Sequence, residues 1–295
     1  MERAVCYNFG ALGNSLAVGQ RTLDSPSRNE LVSNFLKSRR QGLSTKTIKF
    51  YNGYLSRSIS VIGLHVTGQD ITHFLNSLQC SGGGKHAYFR ALRAFYRWLY
   101  SPRSGFNLKA EDNSMCTLDT PIREKRIMPS ISEEQLEYLV SRAGNLRDEC
   151  IIRLLFDSGM RLGEFTNITM LDIDWDSYTV TVIGKGNKQR RAPFTERTAK
   201  MLQAYLADNH SGNGNIWGMT AYGIQDMLKR LSQETGIRCN AHSFRRGFAC
   251  NLHRKGLSTL DIMHLGGWSD LSMVLRYTRS ITFEDCLEHY KRVTD

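Results

Sequence analysis

"DWDSYTVTVIGKGNKQRRAPF", residues 174–194, decides the fold, because its apolar residues recur at every second position. Tyr178, Val180 and Val182 alternate with Thr179 and Thr181, the pattern of a strand with one buried face. The run turns through Gly184–Asn187 and returns, so the stretch predicts an antiparallel β-hairpin. On either side the apolar spacing is helical. The expected fold class is mainly α with a small antiparallel β-sheet or hairpin (α+β).

Upstream, "SRNELVSNFLKSRRQG" (27–42) sets Leu31, Phe35 and Leu36 at helical spacing and stops at Gly42. "LSTKTIKFYNGYLSRSISVIG" (43–63) opens on a Ser44 or Thr45 cap candidate and repeats Ile48, Tyr51, Leu55 and Ile59. "TGQDITHFLNSLQCSGGG" (67–84) reads as a third helix ending in its glycines. In the fourth, "GKHAYFRALRAFYRWLYSPRSG" (84–105), Leu92, Phe95, Tyr96 and Leu99 cluster in one direction, with Arg90, Arg93 and Arg97 almost opposite. One face can enter a small helical core while the other presents guanidinium groups, either as a solvated basic face or to a phosphate backbone.

Residues 108–128 lack apolar periodicity and predict a linker. Beyond it, "SEEQ" supplies a capping box of Ser132 with Gln135. "NLRDECIIRLLFDSGMRLGEFTNIT" (145–169) reads as a helix, a break at Gly159 and a new helix starting near Arg161. At 295 residues two domains are the default expectation. The boundaries are an N-terminal arm over 1–24, a helical domain over 25–107, the linker, and a second domain over 129–295. Its tail, 281–295, sets Phe283, Leu287 and Tyr290 at helical spacing.

The formal net charge is +11, and its placement is informative. Residues 25–107 carry twelve Lys/Arg against two acids, Glu30 and Asp70, whereas 129–295 are nearly balanced at 21 against 20. Such a concentration fits a solubilising surface or an electrostatic footprint for a polyanion. The seven cysteines are scattered without a C-x-x-C pair, which indicates neither a zinc site nor a disulfide framework and suits a reducing cytoplasm. No H-E-x-x-H or EF-hand pattern occurs, so no metal and no cofactor are expected. No apolar run approaches the ~20 residues that span a bilayer, and residues 1–20 lack a signal-peptide layout, so no membrane association is expected.

Four segments of the second domain place unusual polar groups at element ends. Arg161 opens a helix; Lys185 sits in the "GKGNK" turn; His242 and Arg245 share a helix face; Trp268 and Tyr277 follow in "GGWSDLSMVLRYTRS" (266–280). The set is poor in carboxylates and rich in donors for a phosphate. Phosphoryl transfer asks a protein chiefly to neutralise spreading negative charge and to place the nucleophile. Two arginines can grip non-bridging oxygens bidentately. A tyrosine nucleophile starts from a reference pKa of ~10, a deficit of roughly 4 kcal/mol at pH 7, which an imidazole and a cationic surround can offset. The leaving alkoxide needs a proton, for which Lys185 is the sensible donor. Taken singly, each residue also has a plain structural reading: a solvated arginine, a surface H-x-x-R pair, a polar turn, a packing tryptophan, a core tyrosine.

Order and spacing together carry more. "SGMRLGEFTNI" (158–168), "VIGKGNKQRRAPF" (182–194) and "HSFRRGFACNLHRKGLSTLDIMHLGGWSDLSMVLRYTRS" (242–280) closely resemble the first-arginine box, the catalytic hairpin and the H-x-x-R…H/W…Y block of the tyrosine recombinase (phage integrase) family, Xer-like in type. The stretch 25–107 has the place and character of that family's core-binding domain. The resemblance implies that Arg161 and Arg245 bind the scissile phosphate. It makes Lys185 the general acid with Lys188 in reserve, His242 the assisting base or donor, and Tyr277 the nucleophile. Trp268 stands where histidine is usual, and its indole can only donate and pack. Glu164 is expected to orient Arg161 or its neighbours.

The implied activity is site-specific DNA recombination through a 3′-phosphotyrosine intermediate, without metal or ATP. The biological task would be integration or excision of a mobile element, or resolution of DNA dimers. A type IB topoisomerase-like activity and a non-catalytic sequence-specific DNA-binding protein are the alternatives. Implied partners are double-stranded DNA, further copies of the chain in a homo-oligomer (a tetramer) on DNA, and accessory directionality proteins. Lys46, Arg90, Arg93, Arg97 and Lys188 are the expected DNA contacts.

Overall fold

The computed structural model describes residues 28–63, 66–122, 128–184, 188–209 and 214–294. The chain forms two compact units that divide between residues 125 and 126. The 1–24 arm lies outside the described residues.

The N-terminal unit is built from α1 (Arg28–Arg39), α2 (Thr45–Ile62), α3 (Gly68–Ser77) and α4 (Gly82–Leu99). Short polar side chains start the helices. The Ser44 hydroxyl accepts the Thr47 N–H at 3.2 Å, and Thr67 and Asp70 cap one another reciprocally. The glycines expected to end the third helix instead open the fourth. Ser81 accepts the Gly84 N–H at 3.3 Å, so a good cap outweighs the poor helix propensity of Gly82–Gly84.

Phe35, Leu55, Ile59, Phe89, Leu92 and Phe95 are almost wholly buried in one cluster, where Phe35 meets Tyr51 and Phe95 edge-on at 5.4 and 5.7 Å. Each such aromatic or aliphatic side chain contributes about 1.5–3 kcal/mol by leaving water. Residues 108–118, inside the stretch expected as a linker, pack on this unit. They form short 3-10 turns at Ala110–Asp112 and Ser114–Cys116 and bury Met115, with Leu108 and Leu118 against the same core. Irregular segments bury isolated apolar residues without any period, which is why periodicity missed them.

The second unit opens with α5 (Glu133–Ser141), whose capping box pairs Ser132 with Gln135, each backbone N–H to the other's side chain at 3.2 Å. Helix α6 (Leu146–Ser158) runs through the middle of the core and stops at Gly159, which adopts a left-handed φ of +54°. Helix α7 (Leu162–Phe165) follows at once. A three-stranded antiparallel sheet comes next, in the order β1 (Ile173–Asp174), β2 (Thr179–Ile183), β3 (Gln189–Pro193). β2 and β3 are the expected hairpin. The two-residue β1 is too short for any period to reveal. Tyr178, expected to begin the alternation, precedes β2 at φ +49°, where Asp174 accepts the N–H groups of Asp176 and Ser177 and closes a tight turn.

Helices α8 (Glu196–Asn209), α9 (Ala221–Thr235), α10 (Ala241–Arg254), α11 (Thr259–Gly266), α12 (Leu271–Tyr277) and α13 (Phe283–Thr294) complete the unit. Its main core joins α6, the sheet, α8 and α9 around Leu155, Phe165, Val180 and Trp217. A smaller cluster of Phe248, Ala249, Ile262, Trp268 and Val274 holds α10, α11 and α12 together, with Tyr277 packed against it. The tail helix α13 is pinned by Arg254 to Asp285 at 2.9 Å and by Arg292 to the Arg254 carbonyl at 2.8 Å. Its Phe283, Leu287 and Val293 are exposed. Among the described residues no helix is long and apolar enough to cross a membrane.

Candidate active site

Arg161 begins α7 because Gly159 and Met160 turn the chain sharply between two helices. Glu164, one turn on, reaches back: its carboxylate accepts the Arg161 N–H at 3.0 Å and the Arg161 guanidinium at 2.7 Å. The same carboxylate accepts Arg190 from β3 at 2.7 Å. Glu164 is almost fully buried, and burial alone would raise its pKa. The hydrogen bonds from the Arg161 backbone and from Arg190, with the nearby positive charge, outweigh that and hold it below the ordinary value. The carboxyl is therefore a fixed anion between two cations.

Helix α10 carries His242 and Arg245. Its start is set by Asn240, whose side chain accepts the N–H groups of His242 and Ser243, both at 3.0 Å. The first turn leaves the His242 side chain exposed, lining a cleft of about 750 Å³ together with Arg161, Arg246 and Lys229. Three residues on, Arg245 points inward and is only 2% exposed. It donates to the carbonyls of Gly159 and Gly266, the latter at 2.8 Å, so both glycine corners meet on one guanidinium.

The guanidinium carbon of Arg245 lies 4.2 Å from the centre of the Trp268 ring, a cation–π contact. Burial, then the like charges of Arg161 and Arg190, push the Arg245 pKa below its ordinary value, while Tyr277 and Glu164 act the other way. Trp268 in turn meets the Tyr277 ring edge-on at 5.5 Å. Tyr277 ends α12 half-buried, its main-chain carbonyl accepting the Cys250 thiol at 3.2 Å. The Trp268 indole N–H is buried and finds no hydrogen-bond partner among the described residues.

Of the residues singled out in sequence, the structure brings Arg161, Arg245, Trp268 and Tyr277 into one chain of contacts and charge interactions, and places His242 in the cleft beside Arg161. Lys185 lies outside the described residues. Lys188 is exposed at the hairpin, where its carbonyl accepts the Gly184 N–H at 2.8 Å. Arg90, Arg93, Arg97 and Lys46 are exposed on the N-terminal unit, with Arg90 stacked 5.2 Å over the Phe50 ring. Two residues escaped sequence reasoning. Arg190 holds Glu164, and Arg246 donates to the Pro129 carbonyl at 2.7 Å. The hairpin register held a signal for the first, since Arg190 lies directly opposite the buried Val182 and so faces inward.

The family model described as the phage integrase family matches residues 129–282. The XerA tyrosine recombinase of Pyrococcus horikoshii is 26% identical over 252 residues, covering 82% of this chain and 86% of that protein. XerC of Bacillus subtilis is 30% identical over 209 residues, 64% of this chain and 67% of that protein. In fold, the Tn1549 transposon integrase in complex with transposon right-end DNA aligns over 90% of this chain and 99% of its own, at TM-score 0.70 and 15% identity. XerH recombinase bound to palindromic difH aligns over 93% and 99%, also at TM-score 0.70 and 15% identity. The matched model spans more than half of the sequence and encloses every side chain of the constellation: the chain belongs to the phage integrase family of tyrosine recombinases, DNA strand-transferring enzymes.

Proposed function

We propose that this chain cuts and rejoins duplex DNA at specific sites, with Tyr277 as nucleophile and Arg161 and Arg245 as the phosphate clamp. The phenol oxygen attacks the scissile phosphorus, and the bond from phosphorus to the sugar 5′-oxygen breaks. The phenol proton passes to His242, and the departing oxygen takes a proton from Lys185. The products are a 3′-phosphotyrosine and a free 5′-hydroxyl, and attack by a 5′-hydroxyl from a partner strand reverses the step. The energy of the original bond stays in the covalent link.

The observation that carries this reading is the contact series Arg245–Trp268–Tyr277, which links a buried cation to the tyrosine through the indole ring, while Arg161, whose charge bears on Arg245, lines a cleft with His242. In a site shielded from water such a cation stabilises developing charge far better than in solution. Trp268 contributes packing and a donor, leaving proton transfer to the imidazole and the lysine.

The exposed arginines of α4 support contact with the phosphate backbone of the same duplex. The uncovered apolar residues of α13 support assembly with further copies of the chain, a tetramer on DNA, with accessory proteins setting direction. No disulfide joins the described cysteines, which suits a reducing cytoplasm.

The test uses a nicked duplex library of randomised sequence, incubated with the protein and separated under denaturing conditions. Wild type should retain a sequence-defined covalent adduct, and Tyr277→Phe should retain none. Adduct that survives in Tyr277→Phe refutes the nucleophile. Relaxation of supercoiled plasmid without any enriched sequence would favour a topoisomerase, and enriched binding without adduct a non-catalytic binder.

A further inference from the structure

We propose that Arg190 is a positioning residue for the reaction, tying the two clamp arginines to one another through the hairpin strand β3. The inference rests on the reading of Arg161 and Arg245 as the phosphate clamp. Three observations carry it. The Arg190 guanidinium donates to Glu164 at 2.7 Å, and Glu164 in turn aims Arg161. It also donates to the Leu265 carbonyl at 3.2 Å, one residue before the Gly266 carbonyl that anchors Arg245. The third is its fit. The side chain is 14% exposed, and Gly267, at φ +62°, lies so close that an added Cβ would stand 2.3 Å from Cδ of Arg190.

The chain thus gives up a side chain at 267 to let the Arg190 stem lie flat between the β-sheet and the α11 corner. A planar fork can hold a carboxylate and a carbonyl at once, whereas an ammonium is a single point. With Arg190 in place, moving either clamp arginine means moving the other. Without it, Glu164 keeps Arg161 but loses its tie to the corner that carries Arg245 and Trp268.

The experiment compares wild type, Arg190→Gln and Arg190→Lys on the duplex recovered from the library, and on the same duplex with a neutral methylphosphonate at the scissile position. Arg190→Gln should slow cleavage of the phosphodiester about 10²-fold, the cost of a small misplacement of positioned groups. Duplex affinity should stay unchanged. On the methylphosphonate, which lacks one anionic oxygen for the clamp to hold, the loss should shrink to less than about fivefold. Arg190→Lys, which keeps the charge, should still lose at least about tenfold.

Equal slowing on both substrates, or full activity in Arg190→Lys, overturns the proposal. A readout that needs no DNA guards it against failure of the recombinase reading. In urea unfolding, Arg190→Gln combined with Glu164→Gln should shift the midpoint no further than the larger single change, and additive shifts overturn the tie. If wild type forms no adduct while the two changes are non-additive, the functional reading fails and the structural tie stands.

Discussion

Glu164→Gln is the most informative single substitution in the second unit. The carboxylate is 4% exposed and takes three hydrogen bonds, from the Arg161 backbone and guanidinium and from Arg190. The share owed to the Arg161 guanidinium is small, because that side chain is 43% exposed and water screens the pair to about 0–1 kcal/mol. The Arg190 side dominates. Removing one partner of a buried pair costs about 3–5 kcal/mol, and the amide's remaining acceptor oxygen recovers part of it, leaving about 2–3 kcal/mol. For a unit of this size that lowers Tm by about 5–10 °C.

The pH dependence gives a second check. Glu164 has a folded pKa below its ordinary value of 4.5, so its contribution is present above that value and is lost as pH falls through the folded pKa. Urea unfolding of wild type and variant should therefore differ at pH 7, and the gap should close as pH falls below 4.5 through the lowered folded pKa. A variant within about 1 kcal/mol of wild type at pH 7, or a gap that persists in acid, would refute the account of Glu164 as the charged bridge.

Three further outcomes follow from the same geometry. Gly159→Ala places a methyl 2.5 Å from Cδ1 of Phe248 at a left-handed φ of +54°, which should cost about 2–4 kcal/mol in urea unfolding. It should also slow cleavage, because the Gly159 carbonyl anchors Arg245. Trp268→Ala should lose about 3–5 kcal/mol, whereas Trp268→Phe, which keeps a ring beneath Arg245 and discards an indole N–H with no partner among the described residues, should lose about 1–2 kcal/mol. Arg93→Ala, at an exposed position on α4, should weaken duplex binding uniformly across sequences, and the slope of log affinity against log salt should fall by about one in anisotropy titrations.

Much of the fold was legible because the signals were strong and local. Val180 and Val182 announced the hairpin, and both are buried in it. Ser132 and Gln135 marked a helix start, and Leu92, Phe95, Tyr96 and Leu99 named the buried face of α4. What the sequence hid had no period. Met115 anchors a stretch that reads as a linker, and the glycines at 82–84 were mistaken for a stop because the cap at Ser81 belongs to the helix after them.

At the candidate site, order and spacing singled out the residues proposed to react but not what holds them. Arg190 is invisible by type alone, since a basic residue beside a polar turn looks solvated. Only its register opposite Val182 turns it inward. The partners of Arg245 could not be read at all, because both are main-chain carbonyls, and any residue at those positions offers one.

Arg245 sits deep in the second unit against two carbonyls and an aromatic face, and among the described residues no carboxylate hydrogen-bonds to it. Arg161 and Arg190 share the carboxylate of Glu164, and the positive charge of both bears on Arg245, so like charges crowd together there and folding must tolerate them. Whatever anion settles there relieves that repulsion, and its binding energy is added to the stability of the fold. An anion bound beside Arg245 should therefore register as a gain in thermal stability before any chemistry is assayed.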